Sequence, residues 1–179
     1  MAPSNYVPGI SRRQLTPLYD TFVNAAGAIG PDIALFARTA AANGINVTNM
    51  TRANQLPGTD NFTVQALRIV PVAVTEADWI LMLKGFICRL IRGRAVELEA
   101  GLEYFASGAG LTTPLATSTT AVGNGQADPR AVADLGDSPI QITGGDQFEV
   151  HLIGPAAVTV AAGVWVRVYL DGYFEKGVQ

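Results

Sequence analysis

The chain has 179 residues, enough for one domain whose core needs no staples. Only 15% of residues are charged, against about 25% in an average soluble domain, while 49% are hydrophobic, which implies surface hidden against other subunits or a low-polarity partner. A net charge of −3 gives no field for gripping nucleic acid, a single cysteine excludes an internal disulfide, and no apolar run approaches the length of a membrane-spanning helix.

Residues 1–15 read as an extended polar arm ahead of a single domain over 16–179. The arm's pair Arg12-Arg13 reads first as part of a solvated arm, with contact to phosphate or lipid headgroups as the alternative. The start, "MAPSNYVPGISRR", lacks the apolar stretch of a secretory signal, so folding in a cytoplasm is expected. Thr16-Pro17 matches a helix start, and Leu18, Phe22, Ala25 and Ile29 recur at helical spacing, so an N-terminal helix is expected. Over 31–44 both a helix, stopped at Asn43-Gly44, and a strand from Ile33 to Thr39 are open.

From Gly58 the pattern turns to strands. "GTDNFTVQA" (Gly58–Ala66) places Phe62 and Val64 on one side, then loses phase at Ala66-Leu67-Arg68, which predicts a bulge or burial of both faces there. Pro71 ends regular pairing or lies at a sheet edge. Thr75 and Asp78 form a capping box for a short helix ending at Lys84-Gly85, with Trp79 and Leu83 on one face.

A hairpin follows. Phe86, Cys88 and Leu90 are expected to share the inner side with Val96, Leu98, Ala100 and Leu102, while Glu97, Glu99 and Glu103 point away. A three-residue turn, or a two-residue turn with a bulge, keeps the glutamates out of the core by pairing Cys88 with Leu98 and Arg89 with Glu97. Residues 106–137 read as a long loop rich in small residues. Strands resume around Ile140–Ile142 and at "GGDQFEVHL", a near copy of the earlier stretch, followed by a short strand and a long one. In the long strand Val164, Val166, Val168 and Leu170 face inward. Trp165, Arg167, Tyr169, Asp171 and Tyr173 face the other way, and Trp, Arg and Tyr together are typical of subunit interfaces rather than free surface. Cover by a helix or loop of the same chain is the other open reading of that face.

Catalytic constellations are missing from the sequence. His151 is the only histidine and Cys88 the only thiol, too few for a usual zinc set, and there is no nucleophile elbow. The Glu97–Glu99–Glu103 row has the spacing of paired carboxylates but reads first as a polar strand face. Asp128, Asp134 and Asp137 lack the spacing of a calcium loop. No enzyme activity, metal or cofactor is expected.

Short alternating strands, one inserted helix and long end loops suggest an all-β domain, a single jelly-roll barrel or sandwich. The order "QLPGTDNFTVQALRIVPV", "TEADWILMLKG", "FICRLIRGRAVELEAGLEYFASGAGL", "GDQFEVHL", "GVWVRVYLDGYFE" resembles the small major capsid proteins, single vertical jelly rolls, of sphaerolipovirus-like tailless icosahedral phages with an internal membrane. The resemblance spans about Gln55 to Glu175. It implies a virion protein that packs against its own copies, alongside a second, larger capsid protein, with the arm and the barrel base toward membrane lipid and no specific nucleic-acid contact. A carbohydrate-binding attachment module of a phage particle is the alternative reading.

Overall fold

The computed structural model describes residues 12–105, 133–135, 138–156 and 158–176. The strands are β1 (Arg12–Leu15), β2 (Leu18–Asn24), β3 (Gly27–Ile29), β4 (Asp32–Leu35), β5 (Asp60–Ala73), β6 (Ile87–Arg92), β7 (Ala95–Gly101), β8 (Ala133–Asp134), β9 (Ile140–Ile142), β10 (Phe148–Ile153), β11 (Val158–Val160) and β12 (Val164–Lys176). The helices are the single turn α1 (Ala40–Asn43) and α2 (Glu76–Gly85), with a 3₁₀ turn at Leu102–Tyr104. The chain is an all-β sandwich, as the alternation predicts. In one sheet β12 is central, with β1 and β2 end to end along one side, β5 along the other, and β8 and β9 on the far edge of β5. The second sheet runs β4–β10–β6–β7, and β3 pairs β11 separately. Every pairing is antiparallel, and the inner faces share one apolar core.

The expected N-terminal helix is replaced by β2, and the last four residues of the expected arm are strand β1 against β12. The spacing of Leu18 and Phe22 fits a helix and also two steps of a strand. The residue between them, Asp20, hides the alternation because it is polar yet fully buried on the core side. Its carboxylate accepts the amides of Thr21 (2.8 Å) and Phe36 (2.6 Å) and a guanidinium hydrogen bond from Arg38 (3.2 Å). Burial pushes its pKa above the usual carboxylate value despite these partners. The bond to Phe36 holds that residue at φ 65°, a left-handed conformation that bulky side chains avoid. Its ring then packs on Phe148 with centroids 5.6 Å apart.

In 31–44 both readings are realised in turn: β4 occupies the first half and α1 the second. Helix α2 matches expectation, with Thr75 accepting the Asp78 amide at 3.2 Å and Trp79 and Met82 buried. Asp78 does more than cap. Its carboxylate also takes the amides of Ala161 (3.0 Å) and Ala162 (3.2 Å), fastening the helix to the turn between β11 and β12.

The phase slip in β5 is a bulge. Asp171 lies opposite Ala66 while Gly172 lies opposite Val64, so Gln65 is the extra residue and the inward set changes from Phe62 and Val64 to Leu67 and Ile69. A second bulge, between Trp165 and Val166 on the partner strand, skips Val72 next to Pro71. Pro71 is therefore paired on its β12 side, and among the described residues nothing pairs it on the other.

The hairpin keeps the predicted parity but sits two residues away from the predicted pairing. Cys88 lies opposite Ala100 and Arg89 opposite Glu99, with the bulge at Glu97 and the tight turn at Gly93-Arg94. Gly93 at φ 59° supplies the conformation that the turn requires. The bulge turns Val96 outward, where it is 53% exposed, so it does not join the core as expected. Strand β7 also ends at Gly101, so Glu103 belongs to the 3₁₀ turn rather than to a strand row. Most of the expected 106–137 loop, with Asp128 and Asp137, lies outside the described residues; Ala133–Asp134 within it is strand β8.

Gly172 lies where β12 passes closest to the bulge, and a Cβ there would overlap the Thr63 carbonyl oxygen and the backbone behind it. Gly172→Ala is expected to lower unfolding free energy by about 1–3 kcal/mol, read as a lower urea midpoint. Gly58→Ala, at a position with open space around it, is expected to leave the midpoint unchanged.

Candidate functional site

Strand β12 keeps strict alternation through both bulges, because the extra residues lie on β5. Val164, Val166, Val168 and Leu170 are buried as expected, and Trp165, Arg167, Tyr169 and Tyr173 share the outer face. Pairing brings further residues into the same rows. Tyr19 and Arg68 flank Tyr169, Thr21 and Val70 flank Arg167, Leu15 and Thr63 flank Tyr173, and Arg13 and Asn61 flank Glu175.

The outcome is a ladder of arginines on aromatic rings. The Arg13 guanidinium lies 4.6 Å from the centre of the Tyr173 ring, Arg68 lies 4.9 Å from Tyr169, and Arg167 lies 5.0 Å from Tyr19. Tyr19 and Tyr169 meet at 5.8 Å between centroids. Such contacts need planar, weakly hydrated cations, which explains arginine rather than lysine at these positions. Arg68 forks onto Asp171 through Nε and Nη2, the latter bond 2.9 Å, and that partner raises its pKa further. Arg13 pairs with Glu175 at 3.5 Å. Arg12 belongs to β1, but its side chain lies outside the described residues.

Cover by the same chain, the second reading of this face, holds for part of it. Residues 45–49 lie along β2 and cover Tyr19, Thr21 and Arg167. The Tyr19 hydroxyl donates to the Ile45 carbonyl, Thr21 donates to Val47 O (2.7 Å), and Arg167 donates to Thr21 Oγ1 (2.8 Å) and to Asn46 O. The remainder stays open. Leu15 is 81% exposed beside Tyr173, and Val23 and Trp165 are exposed together in one row at the other end.

The residues a catalytic search singles out lie along the second sheet, with Arg89, Glu99 and His151 on its outer face and Cys88 in the core. Arg92 and Glu97 lie beside Pro139 and Ile140, so Glu97 does not point away as expected. Arg92 holds Glu97 (Nε–Oε1 2.8 Å), and Arg89 holds Glu99 rather than the expected Glu97. Cys88 is fully buried, and burial pushes its thiol up to about 12, far from a nucleophile's range. His151 lies between two carboxylates, with Nδ1 2.6 Å from Asp32 and Nε2 3.0 Å from Glu149. The other Glu149 oxygen accepts the Asn54 amide at 2.6 Å. Among the described residues no cluster is arranged to hold a metal ion, and no helix is long and apolar enough to cross a membrane.

Sequence reasoning found the outward β12 residues, Asp171 among them, and missed their neighbours Tyr19 and Arg68 on the flanking strands. Parity would have placed Tyr19 on this face, had β2 been read as a strand. No family model matches the chain, and neither a curated protein nor a solved structure matches it.

Burial alone pulls the His151 pKa down, but the bonds to Asp32 and Glu149 more than reverse this, leaving it above 6.5. The charged groups around it are Asp32 on β4, Glu149 on its own strand and Arg89 opposite it on β6. A raised folded pKa means stability that is complete below 6.5 and lost as pH rises through the folded value. Urea unfolding across that window is expected to show this decline in the wild type and a flatter profile in His151→Gln.

Proposed function

We propose that this chain is a structural coat protein of a virus particle, which assembles with copies of itself through the open part of the arginine–tyrosine face. The observation that carries the reading is the exposure of Leu15, Val23 and Trp165 on a face whose arginines and tyrosines are already held in place. Rigid aromatic and arginine groups lose little entropy on docking and are the residues that dominate interface energies. The scarcity of charge in the whole chain points the same way.

The strand order supports a jelly roll as the finer description of the sandwich. One sheet reads β2–β12–β5–β9 and the other β4–β10–β6–β7, so successive strands cross between sheets and the chain's early and late strands pair. Within this reading, a second, larger capsid protein and internal membrane lipid are the further partners, with Arg12 and Arg13 nearest the latter.

Light scattering on purified full-length chain tests the proposal. The wild type is expected to form species larger than one protomer that dissociate on dilution. The double variant Leu15→Ser, Trp165→Ser is expected to weaken association by about tenfold or more without loss of fold by circular dichroism. A wild type that stays monomeric at high concentration and varied salt would overturn it.

A further inference from the structure

A cavity of about 180 Å³ opens at one end of the sandwich, at the far end of β12 from Trp165. It lies between the first sheet's inner face and the segment 49–57. Its apolar wall comes from Leu18, Leu56 and Phe174, the last packed on Phe62 at 4.8 Å between centroids. Its polar groups are Gln14, Thr51, Gln55 and Asp60.

The wall is built firmly where it should be rigid. Asn49 is used at both ends, accepting the Tyr19 amide at 2.9 Å and donating to Pro17 O at 2.8 Å, so 49–51 is fixed against β2. Gln55 donates to Gly145 O at 3.2 Å, which leaves its side-chain oxygen as an acceptor. Among the described residues the Asp60 carboxylate takes only a long bond, 3.4 Å, from the Thr59 hydroxyl. Among the described residues the side chains of Gln14 and Thr51 form no hydrogen bond at all, although both line the opening. These groups combine a carboxylate and an amide oxygen, which accept, with an amide nitrogen and a hydroxyl, which donate. Among the described residues no lysine, arginine or histidine lines the cavity, and the groups that do suit a neutral ligand.

We infer that this cavity binds a single neutral sugar ring. A sugar ring has an apolar C–H face for the Leu18–Leu56–Phe174 wall and a rim of hydroxyls for Asp60, Gln14, Thr51 and Gln55. Barrel mouths are a recurrent place for small-molecule sites, and drug-sized ligands need roughly 300 Å³ or more, so this volume suits one small ring. The site is separate from the assembly face: its residues lie on the inner side of β1, β5 and β12, whereas Trp165, Tyr169 and Tyr173 lie on the outer side. Sugar binding and assembly can therefore be tested independently.

Saturation-transfer NMR with D-glucose, D-galactose, D-mannose and N-acetyl-D-glucosamine on the full chain provides the test. At least one is expected to bind saturably, with Asp60→Asn and Gln14→Ala each weakening it by about tenfold while the urea midpoint is unchanged. Trp165→Ala is expected to leave binding intact. The inference is overturned if none of the four saturates, or if both cavity variants bind as the wild type does. It is equally overturned if Trp165→Ala abolishes binding, or if glucose 6-phosphate binds more tightly than glucose.

Discussion

The pairing of β5 with β12 is the constraint on which the other elements depend. The two strands run antiparallel along their whole common length, and one sheet is built outward from them. Their inner residues, Phe62, Leu67 and Ile69 against Val166, Val168 and Leu170, form the floor of the core. Two bulges, both on β5, adjust the fit. The first lets Phe62 and Val64 face inward at one end of the strand and Leu67 and Ile69 at the other, although their spacing is out of phase. A one-residue slip without that adjustment would have turned Arg68 into the core. Instead Arg68 emerges beside Tyr169 and Asp171, so the same irregularity that serves the core also assembles the outer ladder.

Several of the charged residues described are held in pairs. Arg13 meets Glu175, Arg68 meets Asp171, Arg89 meets Glu99, Arg92 meets Glu97, and His151 is shared by Asp32 and Glu149. Half-exposed pairs of this kind add little stability each, commonly under about 1 kcal/mol. What they fix is register, since each joins neighbouring strands or locks a residue within its row. The buried acids act differently. Asp20 and Asp78 accept backbone amides from remote segments, so each substitutes for sheet hydrogen bonds at places where the chain bends. Removing such an acceptor would leave buried donors unsatisfied, a larger loss than that of a surface pair.

Much of this architecture is legible in the sequence, and the misses have identifiable causes. Alternation located β5, β6, β10 and β12, and the phase break near Ala66 announced the bulge. The capping pair Thr75 and Asp78 marked α2. The N-terminal helix was misread because Asp20 is a polar residue at a core position, which breaks the apolar alternation of β2 and leaves a spacing that helices also show. The hairpin register was displaced because the bulge at Glu97 could be placed only by the turn, and Gly93-Arg94 and Arg92-Gly93 are both plausible turns in sequence. The candidate face was half legible. Trp165, Arg167, Tyr169, Asp171 and Tyr173 follow from parity within one strand, whereas Arg68 and Tyr19 depend on which strands lie beside it. Cover by residues 45–49 rests on hydrogen bonds accepted by backbone carbonyls, which leave no mark in residue type.

The position of β12 bears on how the chain acquires its fold during synthesis. Strands β1 and β2 are made early, yet their partner in the sheet is the last strand, and β5 waits for the same partner. Pairings such as Leu18 with Leu170 close a loop of nearly the whole chain, and contacts of that range fold slowly. Until the ribosome releases β12, the inner faces of β2 and β5 lie open, with Leu18, Phe22, Leu67 and Ile69 uncovered. The growing chain thus carries an unfinished hydrophobic surface until β12 has been made, a surface open to wrong contacts in the meantime.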